Sequence, residues 1–234
     1  MSKFTWFSGR GPALTQLQLQ RRGNLAEPCA LDERPLQQQR FVILDLETSG
    51  LNMRRDQVLS IGAVVIDNGA IDLSQQFECT LQRLDHQASA STLIHGIAPS
   101  EIAKGEEPAE ALLAFMAFVG DSPLLAFHAE FDQRMLARAL KQSLGYRLQH
   151  RFFDVAEIAP LLCPKANPNL HGLDGWTQHF GLQVLQRHHA SADALVTAEL
   201  ALILFSKARQ QGMDTLPALQ QHLNSRRRQR AHSL

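Results

Sequence analysis

Cysteine is scarce in this sequence of 234 residues: Cys29, Cys79 and Cys163 lie far apart, with no Cys-x-x-Cys spacing among them. That argues against a disulfide framework or a thiolate zinc site, and it suits a reducing compartment. Excess charge of either sign is also absent, with 23 Lys and Arg against 23 Asp and Glu. A nucleic-acid partner would have to be held by local patches or metal ions rather than by net charge. No apolar stretch approaches the roughly 20 residues that a transmembrane helix needs. The start, Met1-Ser2-Lys3-Phe4-Thr5-Trp6-Phe7, lacks the long apolar core of a signal peptide. Internal repeats are missing as well. The expectation is a soluble cytoplasmic protein with no membrane partner. With 44% hydrophobic and 20% charged residues, the chain is ordinary for a globular protein. Its length suits one sizeable α/β domain with appendages.

Three stretches differ in character: residues 1–39, 40–208 and 209–234. In the first, Gln- and Arg-containing segments flank a Pro- and charge-containing run without a clear period. It reads as an extension, helical from Ala13 to Arg22, whose aromatic cluster Phe4, Trp6 and Phe7 either docks on the body or hooks a partner. The body opens with a strand from Arg40 to Leu46, followed by a second from Gln57 to Asp67. Asn68-Gly69 signals a tight hairpin, so Ala70 to Leu81 is expected to return as a third strand. Pro99-Ser100-Glu101-Ile102 resembles a helix start. Pro108 to Val119 carries apolar residues at helical spacing. Short strands at Pro123–Phe127 and Phe152–Val155 precede helices over about Phe131–Leu144 and through Leu162. Pro164 to Asn169 reads as a loop. A helix around Leu173–Phe180 ends at Gly181, and a long one runs from about Ala192 to Gln210. Leu216, Leu219 and Leu223 mark one more amphipathic helix that packs on its own domain, and Ser225–Arg230 reads as a mobile basic tail. This order places a mixed sheet between helices.

The apolar run Phe41-Val42-Ile43-Leu44-Asp45-Leu46-Glu47 is broken by two carboxylates two positions apart. On a strand, residues i and i+2 share a face, so both carboxylates converge on one spot. Charge in such a place costs several kcal/mol unless paired, and a divalent metal ion is the usual remedy. Asp132 falls where a short strand gives way to a helix. Asp193 falls in the first turn of the long helix, with His188 on the loop before it. Taken singly, Asp132 and Asp193 also fit helix-start carboxylates, and His188 and His189 fit surface loop histidines. Together they form the set that phosphoryl hydrolysis needs. Hard oxygen ligands hold Mg²⁺ or Mn²⁺, and an imidazole, titrating near neutrality, takes a proton from water.

Asp45-Leu46-Glu47-Thr48-Ser49-Gly50 resembles the first motif of the DnaQ-like proofreading exonucleases, the DEDDh branch of the ribonuclease H-like superfamily. Ala126-Phe127-His128-Ala129-Glu130-Phe131-Asp132 resembles the second. His188-His189-Ala190-Ser191-Ala192-Asp193 resembles the third, His-x-Ala-x-x-Asp, and its spacing selects His188 rather than His189. The resemblance covers roughly residues 40–205 and implies an α/β, ribonuclease H-like fold with a mixed five-stranded sheet flanked by helices. It implies two divalent ions, Mg²⁺ or Mn²⁺, held by Asp45, Glu47, Asp132 and Asp193, with His188 as general base. It also implies release of nucleoside monophosphates from a single-stranded 3′ end. Thr48 and Leu51 are expected at the terminal nucleotide, Leu51 wedged against its base. Phe127-His128 stands where many relatives carry His-Asn, so the polar contact at His128 is expected to differ. Phe131 is expected to anchor the core, His95-Gly96-Ile97 to form a turn or a loop near the site, and Asp154 to support the ligands or cap a helix.

The substrate stays open between single-stranded DNA, in proofreading or repair, and RNA ends, because contacts to the 2′-OH decide and no motif here reports them. A DNA polymerase subunit is a candidate partner. A non-catalytic tether for nucleic acid or polymerase is the reading from another class, opposed by the five intact catalytic positions.

Overall fold

The computed structural model describes residues 13–88, 90–167, 170, 172–184 and 187–231. The Phe4, Trp6 and Phe7 cluster lies outside them. The strands are β1 (Phe41–Thr48), β2 (Val58–Asp67), β3 (Ala70–Thr80), β4 (Leu124–Ala126) and β5 (Phe152–Asp154). They form one mixed sheet in the order β3-β2-β1-β4-β5, with β1 antiparallel to β2 and parallel to β4. The β2–β3 turn falls at Asn68 and Gly69, both with positive φ (48° and 73°), the hairpin geometry for which Asn-Gly is suited.

Both faces of the sheet are covered, which is why β1 reads as continuous apolar sequence rather than as an alternation. Its odd positions, Phe41 and Ile43, join one core, and its even positions, Val42, Leu44 and Leu46, join the other. The first core is closed by α6 (Val155–Leu162), α7 (Gly172–Phe180), α8 (Ala190–Gln210) and α9 (Leu216–Ala231). The second is closed by α4 (Pro108–Val119) and α5 (Ala129–Leu144). Phe41, Val42, Ile43 and Leu44 are wholly buried. Each contributes roughly 1.5–3 kcal/mol, which offsets the cost of carrying two carboxylates at the end of the same strand. Asp45 and Glu47 continue the odd series and so face α8.

One glycine sets how close α8 comes. Gly62 on β2 pairs with Asp45 on β1. A Cβ at Gly62 would stand 2.1 Å from the Ala190 carbonyl carbon and the Ser191 nitrogen. The bare backbone lets the first turn of α8 lie on the sheet beside Asp45.

The N-terminal helix α1 (Gln16–Gly23) begins at a capping box between Thr15 and Gln18. It docks on α4, where Gln18 Nε2 donates to Glu110 Oε1 at 2.9 Å and Arg21 pairs with the same carboxylate. Several boundaries depart from the sequence reading: β1 runs on to Thr48 rather than ending at Leu46, and α8 starts at Ala190 rather than about Ala192. A single helical turn, α2 (Thr92–His95), stands ahead of α3 (Pro99–Ile102), where the expected helix start gives only one turn. Helix α5 starts at Ala129 rather than Phe131, which puts Asp132 in its first turn. Ser225–Arg230 is not a loose tail but the continuation of α9, whose Leu216, Leu219 and Leu223 are buried and whose Arg227 pairs with Glu157 on α6. No described helix is long and apolar enough to cross a membrane.

Candidate active site

Asp45 and Glu47 leave the end of β1, and the ladder to β2 is irregular between Glu47 and Thr48. The chain then turns. Thr48 Oγ1 donates to the Gly50 carbonyl at 2.9 Å, and Ser49 N–H donates to the Gln57 carbonyl at 2.9 Å. From the opposite side, the first turn of α8 brings in Asp193, which is 5% exposed. Oxygen atoms of Asp45, Glu47 and Asp193 lie within 4.8 Å of one another. Asp132, 4% exposed in the first turn of α5, lines the same cleft but stands outside that triplet. The cleft holds about 1000 Å³.

The carboxylates repel one another, with Asp132 and Asp193 buried and Asp45 and Glu47 half-buried. Burial, then Asp132, Glu47 and Asp193, push the Asp45 carboxyl well above its usual range. Burial likewise raises Asp132, with Asp154 and Glu47 adding to it. Burial and then Asp193 raise Glu47 to about 7, against the pull of Arg187. Such a site draws positive charge. Its donors are all hard carboxylate oxygens, which fits Mg²⁺ or Mn²⁺ better than a soft-ligand metal.

Arg187, not singled out by motif reading, is the cation that meets this charge. It donates to Asp193 Oδ1 and also to Asp174 in α7. The signal for it in the sequence was faint: an arginine directly before His188, with partners 13 residues back and six ahead.

His188 sits beside Arg187 with φ of 61°, exposed at the rim of the cleft, and its backbone N–H donates to Asp193 Oδ2 at 3.1 Å. His189 turns elsewhere. Its Nε2 lies 3.3 Å from Glu78 on β3 and its Nδ1 lies 3.0 Å from Ser191 Oγ. Only the first of the two histidines lines the cleft.

Thr48, Leu51 and His128 also line it. Leu51 is 83% exposed at the mouth, facing no core. His128 takes a left-handed conformation with φ of 64°, its ring edge-on to Phe127. Its backbone N–H donates to Asp154 Oδ1 at 3.0 Å, and the same oxygen caps α6 by accepting from Ala156 N–H at 2.9 Å. Asp154 thus both caps a helix and raises Asp132. Phe131 packs against the second core while touching the cleft. His95 is buried in the wall, where Gly96 follows at φ of 72°. Its Nδ1 accepts from Ile97 N–H at 3.1 Å, and burial, then His86, lowers its affinity for a proton.

Comparison with known proteins bears on this arrangement. A DNA polymerase III PolC-type protein of Thermotoga maritima is 28% identical over 180 residues, 77% of this chain and 13% of that protein. A DNA polymerase III subunit epsilon-like protein of Rhodobacter capsulatus is 30% identical over 193 residues, 81% of this chain and 27% of that one. The chain therefore spans well under a third of these curated relatives. Among solved structures, E. coli exonuclease I in complex with a dA16 oligonucleotide superposes with a TM-score of 0.62 at 18% identity, over 74% of this chain and 42% of that one. The zinc-bound exonuclease I–single-stranded DNA complex gives 0.64 at 20% identity, over 80% and 43%. The fold is thus the ribonuclease H-like fold, a mixed five-stranded sheet flanked by helices. The family model described as exonuclease, RNase_T, matches residues 42–201. Matched over more than half of its length, and with an acidic cluster where its first strand meets its longest helix, the chain belongs to this exonuclease family.

Proposed function

We propose that the chain is a metal-dependent 3′–5′ exonuclease that releases nucleoside 5′-monophosphates from single-stranded DNA ends. The observation that carries the reading is the convergence of the Asp45, Glu47 and Asp193 oxygens within 4.8 Å on the wall of an open cleft. Asp132 completes the acidic set. These four carboxylates would hold two divalent ions, Mg²⁺ or Mn²⁺, which when bound stabilise charge on the phosphate and ease loss of a proton from water.

His188 accepts the proton of the attacking water at an imidazole nitrogen, with its main chain tied to Asp193. Asp154 holds the Phe127–Ala129 turn through the His128 N–H, which steadies the start of α5 and therefore Asp132. Thr48 shapes the turn after β1 by closing on Gly50. Leu51, exposed at the mouth, meets the terminal base, and His128 offers its ring to the strand behind it. The nuclease unit is residues 40–208, flanked by the 1–39 extension and by the C-terminal helix. Relatives described as PolC-type and epsilon-like proteins support a DNA polymerase as partner. The oligonucleotide-bound form of exonuclease I supports single-stranded DNA as substrate.

The deciding assay uses matched 5′-labelled single-stranded DNA and RNA oligomers with Mg²⁺, with Mn²⁺ and with EDTA, alongside Asp45→Ala. A metal-dependent ladder that shortens from the 3′ end of DNA, and is lost in the variant, is the expected result. Faster trimming of the RNA would move the substrate class, and endonucleolytic products would overturn the polarity.

A further inference from the structure

The cleft wall carries a cation that the reaction proposed above does not employ. The side chain of Arg187 is only 27% exposed and reaches two carboxylates at once, Asp193 on α8 and Asp174 on α7. The next residue joins in, since His188 N–H donates to Asp193 Oδ2 at 3.1 Å. Two consecutive residues of one turn therefore engage both oxygens of Asp193. Exposed arginine–carboxylate pairs contribute little, but Asp193 is 5% exposed. The guanidinium bridges the two carboxylates, with Nη1 on Asp193 and Nε on Asp174, and a charge-assisted bond to a buried carboxylate is both strong and directional.

A divalent ion held by Asp45, Glu47 and Asp193 has to share Asp193 with this guanidinium. Two cations on one carboxylate repel each other. The coupling is reciprocal, so whatever hold Arg187 keeps on Asp193 is subtracted from the hold of the ion. We propose that Arg187 is a resident counter-cation that competes with the divalent ion for Asp193, making metal uptake and the setting of the His188 turn a single equilibrium. The inference rests on the reading of the acidic cluster as a metal centre. Without the ion, the guanidinium neutralises Asp193 and clamps the turn against α8. With the ion, Asp174, whose side chain is 72% exposed, is the tether that keeps Arg187 at the cleft wall. Arg187 is thus a positioning residue, acting through Asp193 and the turn rather than on the substrate.

Calorimetric titration of Mn²⁺ into the metal-stripped protein, with no nucleic acid present, tests this directly. In R187Q, Mn²⁺ binds roughly three- to tenfold more tightly than in wild type. R187K, which keeps the charge but lacks the fork, falls between the two. Thermal unfolding gives a second readout: metal-stripped R187Q melts below wild type, and Mn²⁺ raises its midpoint by a larger step. Unchanged or weaker Mn²⁺ binding by folded R187Q overturns the proposal. Wild-type protein that takes up no Mn²⁺ removes the metal centre beneath it as well.

Discussion

Asp45 and Gly62 stand opposite each other across the β1–β2 ladder, and the missing side chain of Gly62 is what lets Ala190 of α8 rest on the sheet beside the carboxylate. The position of Asp193 follows from that contact, because Asp193 lies less than one turn further along the same helix. Gly62→Val therefore injures the site without touching a ligand. The helix is forced off the sheet at a cost of about 2–4 kcal/mol. Thermal unfolding should show the loss, and Mn²⁺ affinity should fall with it; unaltered metal affinity in a folded variant would show that α8 is placed by something other than Gly62.

The acidic cluster makes stability depend on pH in an unusual direction. Glu47 keeps a proton up to about 7 in the folded state, against an ordinary value of 4.5, and Asp45 and Asp132 are raised too. Between those limits the folded chain binds more protons than the unfolded one. This contribution to stability is therefore fully present below about 4.5 and is lost as pH rises through 7. In EDTA the midpoint Tm should fall by several degrees from pH 5 to pH 8. Saturating Mg²⁺ should flatten or reverse the trend. A Tm in EDTA that rises over that interval contradicts the charge balance described for the site.

Asp45→Asn separates activity from stability. The amide removes a buried charge and its repulsion from Asp132, Glu47 and Asp193. Hydrolysis should drop to background while the metal-free protein gains on the order of 1 kcal/mol at pH 8. Denaturant titration in EDTA measures the gain, and a large destabilisation would mean that the carboxylate serves the fold.

The two adjacent histidines give a paired test. His188→Ala should slow hydrolysis by about 10²–10⁴-fold while Mn²⁺ binding stays within a few-fold of wild type. His189→Ala removes a half-exposed contact to Glu78 and should cost less than about 1 kcal/mol with little effect on rate. Reversed ranks in single-turnover assays would shift the third motif by one position.

Helix α9 carries Arg227 and Arg228 on its exposed side, and Arg227 feels the charges of Glu157, Asp154 and Glu130. Replacing both by Gln should make the dependence of oligonucleotide binding on salt shallower by about one unit of log–log slope. Hydrolysis of a dinucleotide should be unaffected. An unchanged slope means that α9 merely packs.

The parts of this molecule legible in its sequence are those written locally. Strand β1 announced itself as an apolar run, the β2–β3 turn as Asn68-Gly69, and α4 as a helical period from Pro108 to Val119. The carboxylate pair of β1 was readable because a strand has period two. What stayed hidden depended on tertiary contact. One turn of helix at Thr92–His95 has too few residues to show a period. The polar half of α9 has no apolar stripe of its own and continues a helix anchored by Leu216, Leu219 and Leu223. Arg187 looked like any loop arginine, since its partners on α7 and α8 become neighbours only in three dimensions. Gly62 could not be told from other small strand residues until Ala190 lay against it.

Asp45 and Glu47 come from the first strand of the sheet and Asp193 from a helix near the far end of the chain, with Asp132 between them. During synthesis the first pair leaves the ribosome long before Asp193 exists, and an N-terminal portion holds only half of the acidic set. The complete acidic set therefore exists only once Asp193 has been made and α8 has packed on β2. A polypeptide cut short before α8 lacks part of the cluster on which the proposed hydrolysis depends, with no inhibitor needed to hold it back.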